Sequence, residues 1–251
     1  MNKEIRMADL KVVVLNKFNE ILTSAEIEKQ IEILQNSNYW YKYSYSPFVK
    51  RFNETRGTSG VDVWTERVAL VYSWLPKIPR SSFATDLREI QEIINKLTEI
   101  ERYFYNAELL SIERTAYQGE YQGETAFSSC NGYYDMGLRD FLIPAGKLLH
   151  DTVRLDTQLS STTKLLHFMC PNLFPIFDTK VCKQIYGPSA NQTYSKYHSY
   201  VFGLKEFLEN SEIVFTLKHH AEKMNVSVLY IVDLVLFNYA EKFPFEKKES
   251  E

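Results

Sequence analysis

The sequence predicts a mostly α fold, and three observations carry that prediction. In FATDLREIQEIINKLTEIERYF, residues 83 to 104, Leu87, Ile90, Ile93, Ile94, Leu97 and Ile100 recur at three- and four-residue steps while charges fill the other positions. That spacing lines one helix face with apolar side chains. The same pattern returns over 4 to 22, 24 to 35, 61 to 75, 138 to 151, 161 to 169, 179 to 186, 193 to 209 and 226 to 241. Two segments alone break it.

The first break, SNYWYKYSYSPF (37 to 48), sets tyrosines at 39, 41, 43 and 45, a period of two that suits an extended segment. Aromatic faces of this kind stack on bases, although at this density they more often pack into a core. PKIPR (76 to 80) then stops one helix before the next, because proline removes a donor and disfavours helical geometry in the residue before it. The second break, 111 to 137, contains YQGEYQGE together with Gly119, Gly123, Gly132 and Gly137. It reads as a long shaped loop inserted into the helical architecture, and long loops inside compact domains are often functional. VLYIVDLVLF (228 to 237) is interrupted by Asp233 and too short to span a bilayer, so it reads as a buried helix. The expected organisation is a single domain over 1 to 244: a helical layer to 110, the loop, a segment 138 to 190 and C-terminal helices from 191. A polar tail, 245 to 251, is expected to be disordered.

The 251 residues are 45% apolar and 24% charged, ordinary proportions for a globular chain whose core needs no disulfides. A net charge of -3 gives no general attraction to nucleic acid, so such a partner must be met by a local basic surface. Cys130, Cys170 and Cys182 show no ligand spacing, and the adjacent His219 and His220 point in different directions on a helix. The expectation is a reduced cytoplasmic monomer with no metal, no cofactor and no membrane association. The opening MNKEIRMADLKVVV carries acidic residues and lacks the apolar stretch of a signal peptide.

The window LSSTTKLLHFMCPNLFPIFDTKVCKQIYG, residues 159 to 187, is the most informative. A Ser/Thr cluster opens a short apolar helix, a proline-containing connection follows, and FPIF runs into Asp178 and a second helix with Val181 and Ile185 facing inward. This window resembles the helix-hairpin-helix DNA glycosylases, and FPIFDTKV is especially similar to the corresponding segment of the adenine glycosylases among them. The resemblance implies a helix-hairpin-helix glycosylase-like architecture. It carries Asp178 to the catalytic aspartate and Val181 to the apolar position behind it, and it sets Lys164 near the nucleophilic lysine of bifunctional members. The equivalent of the family hairpin, QLSSTTK, has neither proline nor glycine. Side-chain hydroxyls of Ser160, Ser161, Thr162 and Thr163 therefore stand where backbone amides would meet a DNA phosphate. The four-cysteine iron–sulfur motif of some members is absent.

The chemistry gives each residue type a reason. Cleaving an N-glycosidic bond develops positive charge on the sugar, which a fixed carboxylate stabilises while it orients water. A lysine amine attacks the sugar covalently instead. Asp178 also reads as an ordinary helix cap, and the two roles are compatible, since a capped carboxylate is a preorganised one. Lys164 is equally a solvated lysine or a phosphate contact. Lys180 and Lys183 are candidate phosphate contacts, and Asn131, Tyr133, Tyr134 and Arg139 are candidates to line a pocket for a flipped base. Expected activity is excision of a damaged or modified base, one concrete case implied by resemblance to bacterial defence glycosylases being a glucosylated hydroxymethylcytosine in phage DNA. The alternatives are a non-catalytic helix-hairpin-helix module that grips nucleic acid or protein, and an unrelated helical protein in which Asp178 only caps.

Overall fold

Helix α1 spans Met7–Ile21, α2 Ser24–Asn36, α3 Trp40–Glu54, α4 Val61–Tyr72 and α5 Leu87–Phe104 in a computed structural model of the chain, which describes residues 7–37, 40–76, 87–111, 126–128 and 135–242. A short antiparallel hairpin of β1 (Ala126–Ser128) and β2 (Asp135–Gly137) follows, with Phe127 opposite Met136. The chain then continues through α6 (Leu138–Leu149), α7 (Leu159–Met169), α8 (Thr179–Tyr186), α9 (Tyr194–Asn210), α10 (Ile213–Met224) and α11 (Val228–Lys242). The mostly α expectation therefore holds. Among the described residues no helix is long and apolar enough to cross a membrane. Most of the expected 111 to 137 loop, including Gly119, Gly123 and Gly132, lies outside the described residues, as does the 245 to 251 tail.

Two expectations are corrected. The tyrosine stretch is not extended: from Trp40 onward it is helix α3. Its buried stripe is Tyr45, Phe48 and Phe52, preceded by the partly buried Tyr41, at steps of four, three and four. That helical spacing overrides the alternation, and Tyr43, the residue out of phase, is 54% exposed. Helix α10 is absent from the periodic segments that the sequence predicts, although His219 and His220 are expected on a helix. Only Leu217, His220 and Ala221 of that helix are buried while Phe215 faces out, so its apolar periodicity is blurred.

Helix ends follow local chemistry. Thr23 and Thr193 cap α2 and α9 by accepting from the amides of Glu26 and Lys196. Helix α8 stops at Gly187, whose φ of 100° is a conformation that glycine adopts without a Cβ penalty. Glycine serves packing at Gly203, where α9 crosses α1 so closely that a Cβ would sit 2.7 Å from Val14 Cγ1.

Helix α7 holds the central position. It packs against α3, α4 and α6, and every residue from Ser161 to Met169 is buried. Helix α11 packs on α2, α8 and α10. The functional candidates sit where the start of α8 meets α7 and α11.

Candidate functional site

Asp178 is aimed by the segment in front of it. Residues 174–177 are buried and belong to no described helix or strand, so several of their backbone groups are taken by side chains. Thr163 Oγ1 accepts from the Phe177 amide at 3.0 Å, and Gln192 Nε2 donates to the Phe177 carbonyl. Tyr197 donates its hydroxyl to the Pro175 carbonyl, and His167 Nδ1 donates to the Phe174 carbonyl at 2.7 Å.

That last bond fixes a longer chain. Because Nδ1 carries the proton, Nε2 of His167 accepts from the Tyr45 hydroxyl at 2.9 Å, and Tyr45 in turn accepts from Ser227 at 3.1 Å. Ser227 Oγ also caps α11 by accepting from the Tyr230 amide. Burial lowers the His167 pKa to about 4, in keeping with a neutral ring in this relay. His167, Gln192 and Tyr197 carry no local sequence signal, because their roles depend on partners that only the fold brings to them.

Asp178 itself caps α8. Its Oδ1 accepts from the Val181 amide at 2.9 Å, its carbonyl accepts the first intrahelical bond from Cys182, and the residue is 8% exposed. Both the capping geometry and the inward Val181 and Ile185 match the sequence expectation.

The structure brings Asp178 and Lys164 to one cavity of about 220 Å³. Lys164 is buried and donates from Nζ to the Trp74 carbonyl at 3.3 Å. Aromatic rings form the walls: Tyr41 and Trp74 meet edge to face at 4.8 Å, Tyr41 contacts Phe237 at 5.7 Å, and Tyr230 stacks on Tyr45 at 3.8 Å. Lys180 lies over Phe237, 4.0 Å from the ring centre, and its exposed position puts a positive charge at the cavity.

Helix α11 contributes a residue the sequence reading did not place in a site. Tyr230, Asp233, Leu234, Phe237 and Asn238 all line the cavity, steps of three, one, three and one that define one helix face. Asp233 was read as an interruption of an apolar run. The available signal was its phase: it falls on the same stripe as Tyr230 and Phe237. Burial, reinforced by the charge of Asp178 and opposed by Lys164, pushes the Asp233 carboxyl well above the usual carboxylate range. Asp233 Oδ1 and Asn238 Nδ2 are shielded from solvent and have no hydrogen-bond partner.

The other candidates scatter. Ser161, Thr162 and Thr163 are buried rather than facing a phosphate: Ser161 is bonded to His150 and the Gln158 carbonyl, and Thr163 to Leu159 and Phe177. Ser160 is the partly exposed member of the four and donates to Gln192. Lys183 is half-buried on α8. Arg139 lies on α6 with its guanidinium 4.3 Å from the centre of the Tyr194 ring and is not among the cavity residues. Asn131, Tyr133 and Tyr134 lie outside the described residues.

No family model, curated protein or solved structure matches the chain.

Proposed function

We propose that the chain is a DNA N-glycosylase that draws an extruded base into the cavity and breaks the bond between the base nitrogen and the sugar. One observation carries this reading. Lys164 and Asp178, two positions fourteen residues apart in the window that resembles the glycosylases, line a single aromatic-walled cavity. Its volume of about 220 Å³ gives room for one heterocycle.

The chemistry assigned to the residues is simple. As the bond breaks, its electron pair leaves with the base and positive charge develops on the sugar. The Asp178 carboxylate, held by the Val181 amide, stabilises that charge and takes a proton from the water that attacks the sugar carbon, and that proton passes on to the departing base. An abasic site remains. Aromatic walls stack the flipped base. With Ser161, Thr162 and Thr163 turned inward, Ser160, Lys180 and Lys183 are left from the sequence candidates to meet the DNA backbone.

The test incubates the full chain with DNAs carrying damaged bases, ordinary bases and glucosylated hydroxymethylcytosine, and scores abasic sites after amine treatment. Base release that falls about a hundredfold to a thousandfold in Asp178→Asn is the expected result. Strand cleavage without added amine would make Lys164 the nucleophile, while no release from any DNA sinks the enzyme reading. A non-catalytic binding module predicts instead that Asp178→Asn keeps both DNA binding and biological effect.

A further inference from the structure

Two carboxyl groups line the cavity, and their surroundings differ. Asp178 Oδ1 accepts from the Val181 amide at 2.9 Å, a bond of the kind that supports a negative charge. Asp233 Oδ1 is shielded from solvent and has no hydrogen-bond partner. A carboxyl oxygen stripped of both water and donors is far costlier charged than neutral.

We propose that Asp233 is the general acid of the site, giving its proton to the departing base while Asp178 acts on the sugar and the attacking water. The proposal rests on the glycosylase reading above. A base that takes the bonding electron pair leaves as an anion unless a proton arrives with it. The Asp233 hydroxyl supplies that proton as the bond between nitrogen and sugar breaks, so the base leaves neutral and Asp233 is left as a carboxylate. Water adds its oxygen to the sugar carbon and yields a proton to Asp178, and the transfer of that proton to Asp233 restores both groups. One water is added across the bond, with no other reactant. Asn238, further along the same helix face, offers its unpartnered Nδ2 to an acceptor on the base and holds it against α11.

The charges around Asp233 agree with this division of labour. Burial first, then the charge of Asp178 from α8, push the Asp233 carboxyl well above the usual carboxylate range, while Lys164 from α7 works against them. Tyr45 on α3, Tyr200 on α9 and Tyr230 on α11 feel the Asp233 charge in turn, and their hydroxyls, raised by burial above all, stay neutral. Helix α2 meets the cavity with the apolar Leu34, α3 with Tyr41, and Lys180 of α8 lies over Phe237. Neighbouring carboxyl groups driven to opposite protonation states are what paired acid and base roles require.

The test follows base release by the full chain across pH, on whichever DNA of the panel above yields abasic sites. The rate should fall as pH rises and Asp233 loses its proton. Asp233→Asn is close in shape but carries no acidic proton, so it should release base about a hundredfold more slowly and lose that alkaline limb, with circular dichroism reporting an intact fold. Asp233→Leu should match it. A merely structural role would move the melting temperature and leave the alkaline limb in place. Infrared difference spectra of the parent against Asp233→Asn, near neutral pH and without DNA, should show the carbonyl stretch of a protonated carboxyl group. Absence of that band, an alkaline limb that survives in Asp233→Asn, or release by both variants at the parental rate overturns the acid role, while the loss of release in Asp178→Asn still upholds the enzyme. No release by the parent from any DNA overturns both.

Discussion

Two clusters of buried ionisable side chains among the described residues are finished to different degrees. Arg67 on α4 and Glu101 on α5 are each fully buried, and the guanidinium spends its nitrogens on Glu101, Thr55 Oγ1 and the Phe52 carbonyl. The Gly57 amide adds a bond to Glu101, and the Phe52 and Trp64 rings lie 4.8 and 4.6 Å from the guanidinium carbon. Nothing there waits for a ligand. Lys164, Asp178 and Asp233 form the second cluster, which borders a cavity and leaves Asp233 Oδ1 and Asn238 Nδ2 without partners. Burial alone thus does not mark a functional charge. Incomplete satisfaction beside open space does.

The comparison predicts opposite responses to mutation. Glu101→Leu strands the Arg67 charge and should lower the unfolding free energy by about 3–5 kcal/mol in denaturant melts, with any base release per folded molecule unchanged. A loss under 1 kcal/mol would mean that the first cluster is not the structural one.

Asp178→Asn makes the reverse case. Asparagine caps helices as well as aspartate, so the melting temperature should hold while base release falls as stated above. Asp178→Ala should lose the same activity and also about 1 kcal/mol of stability.

His167 supports the second cluster, since its relay holds the segment that ends at Asp178. Its folded pKa of about 4 lies below the ordinary 6.5, so the unfolded chain takes up the proton first. Stability is therefore intact above about pH 6.5 and should fall by roughly 3 kcal/mol as pH drops toward 4, visible as a falling melting temperature. A flat profile across that window would show that the ring is already charged in the fold.

Asp233 carries the smallest expected change in stability, and its sign runs the other way. With the folded pKa raised, the unfolded chain releases the proton above about pH 4 while the fold keeps it, so stability falls as pH rises. Asp233→Asn should remove that cost, raising the melting temperature at pH 8 and leaving it unchanged at pH 3. A variant no more stable than the parent at pH 8 would show that the fold does not hold the proton on Asp233.

Much of this was legible in the sequence where the signal is local. The isoleucine and leucine spacing of α5 and the Asp178 cap with Val181 behind it depend on neighbours within a turn or two. Helix α3 was misread because tyrosines at alternate positions imitate a strand while Tyr45, Phe48 and Phe52 follow the true period. Asp233 was visible but looked like a blemish, because its meaning depends on Asp178 and Lys164 arriving from α8 and α7. The hydroxyls of Ser161 and Thr163 read as outward from the sequence because their partners, His150 and Phe177, come from other parts of the chain. Local patterns specify elements; long-range partners specify direction.

The clamp on residues 174–177 draws on α7, Gln192 and α9, whereas Tyr41, Trp74 and Phe237 shape the cavity from α3, the end of α4 and α11. Aim and aperture are therefore held by different parts of the protein. A combinatorial library at Tyr41 and Phe237 would search for new admitted ligands at constant chemistry, and a lineage under pressure to change its target has the same two positions to vary first.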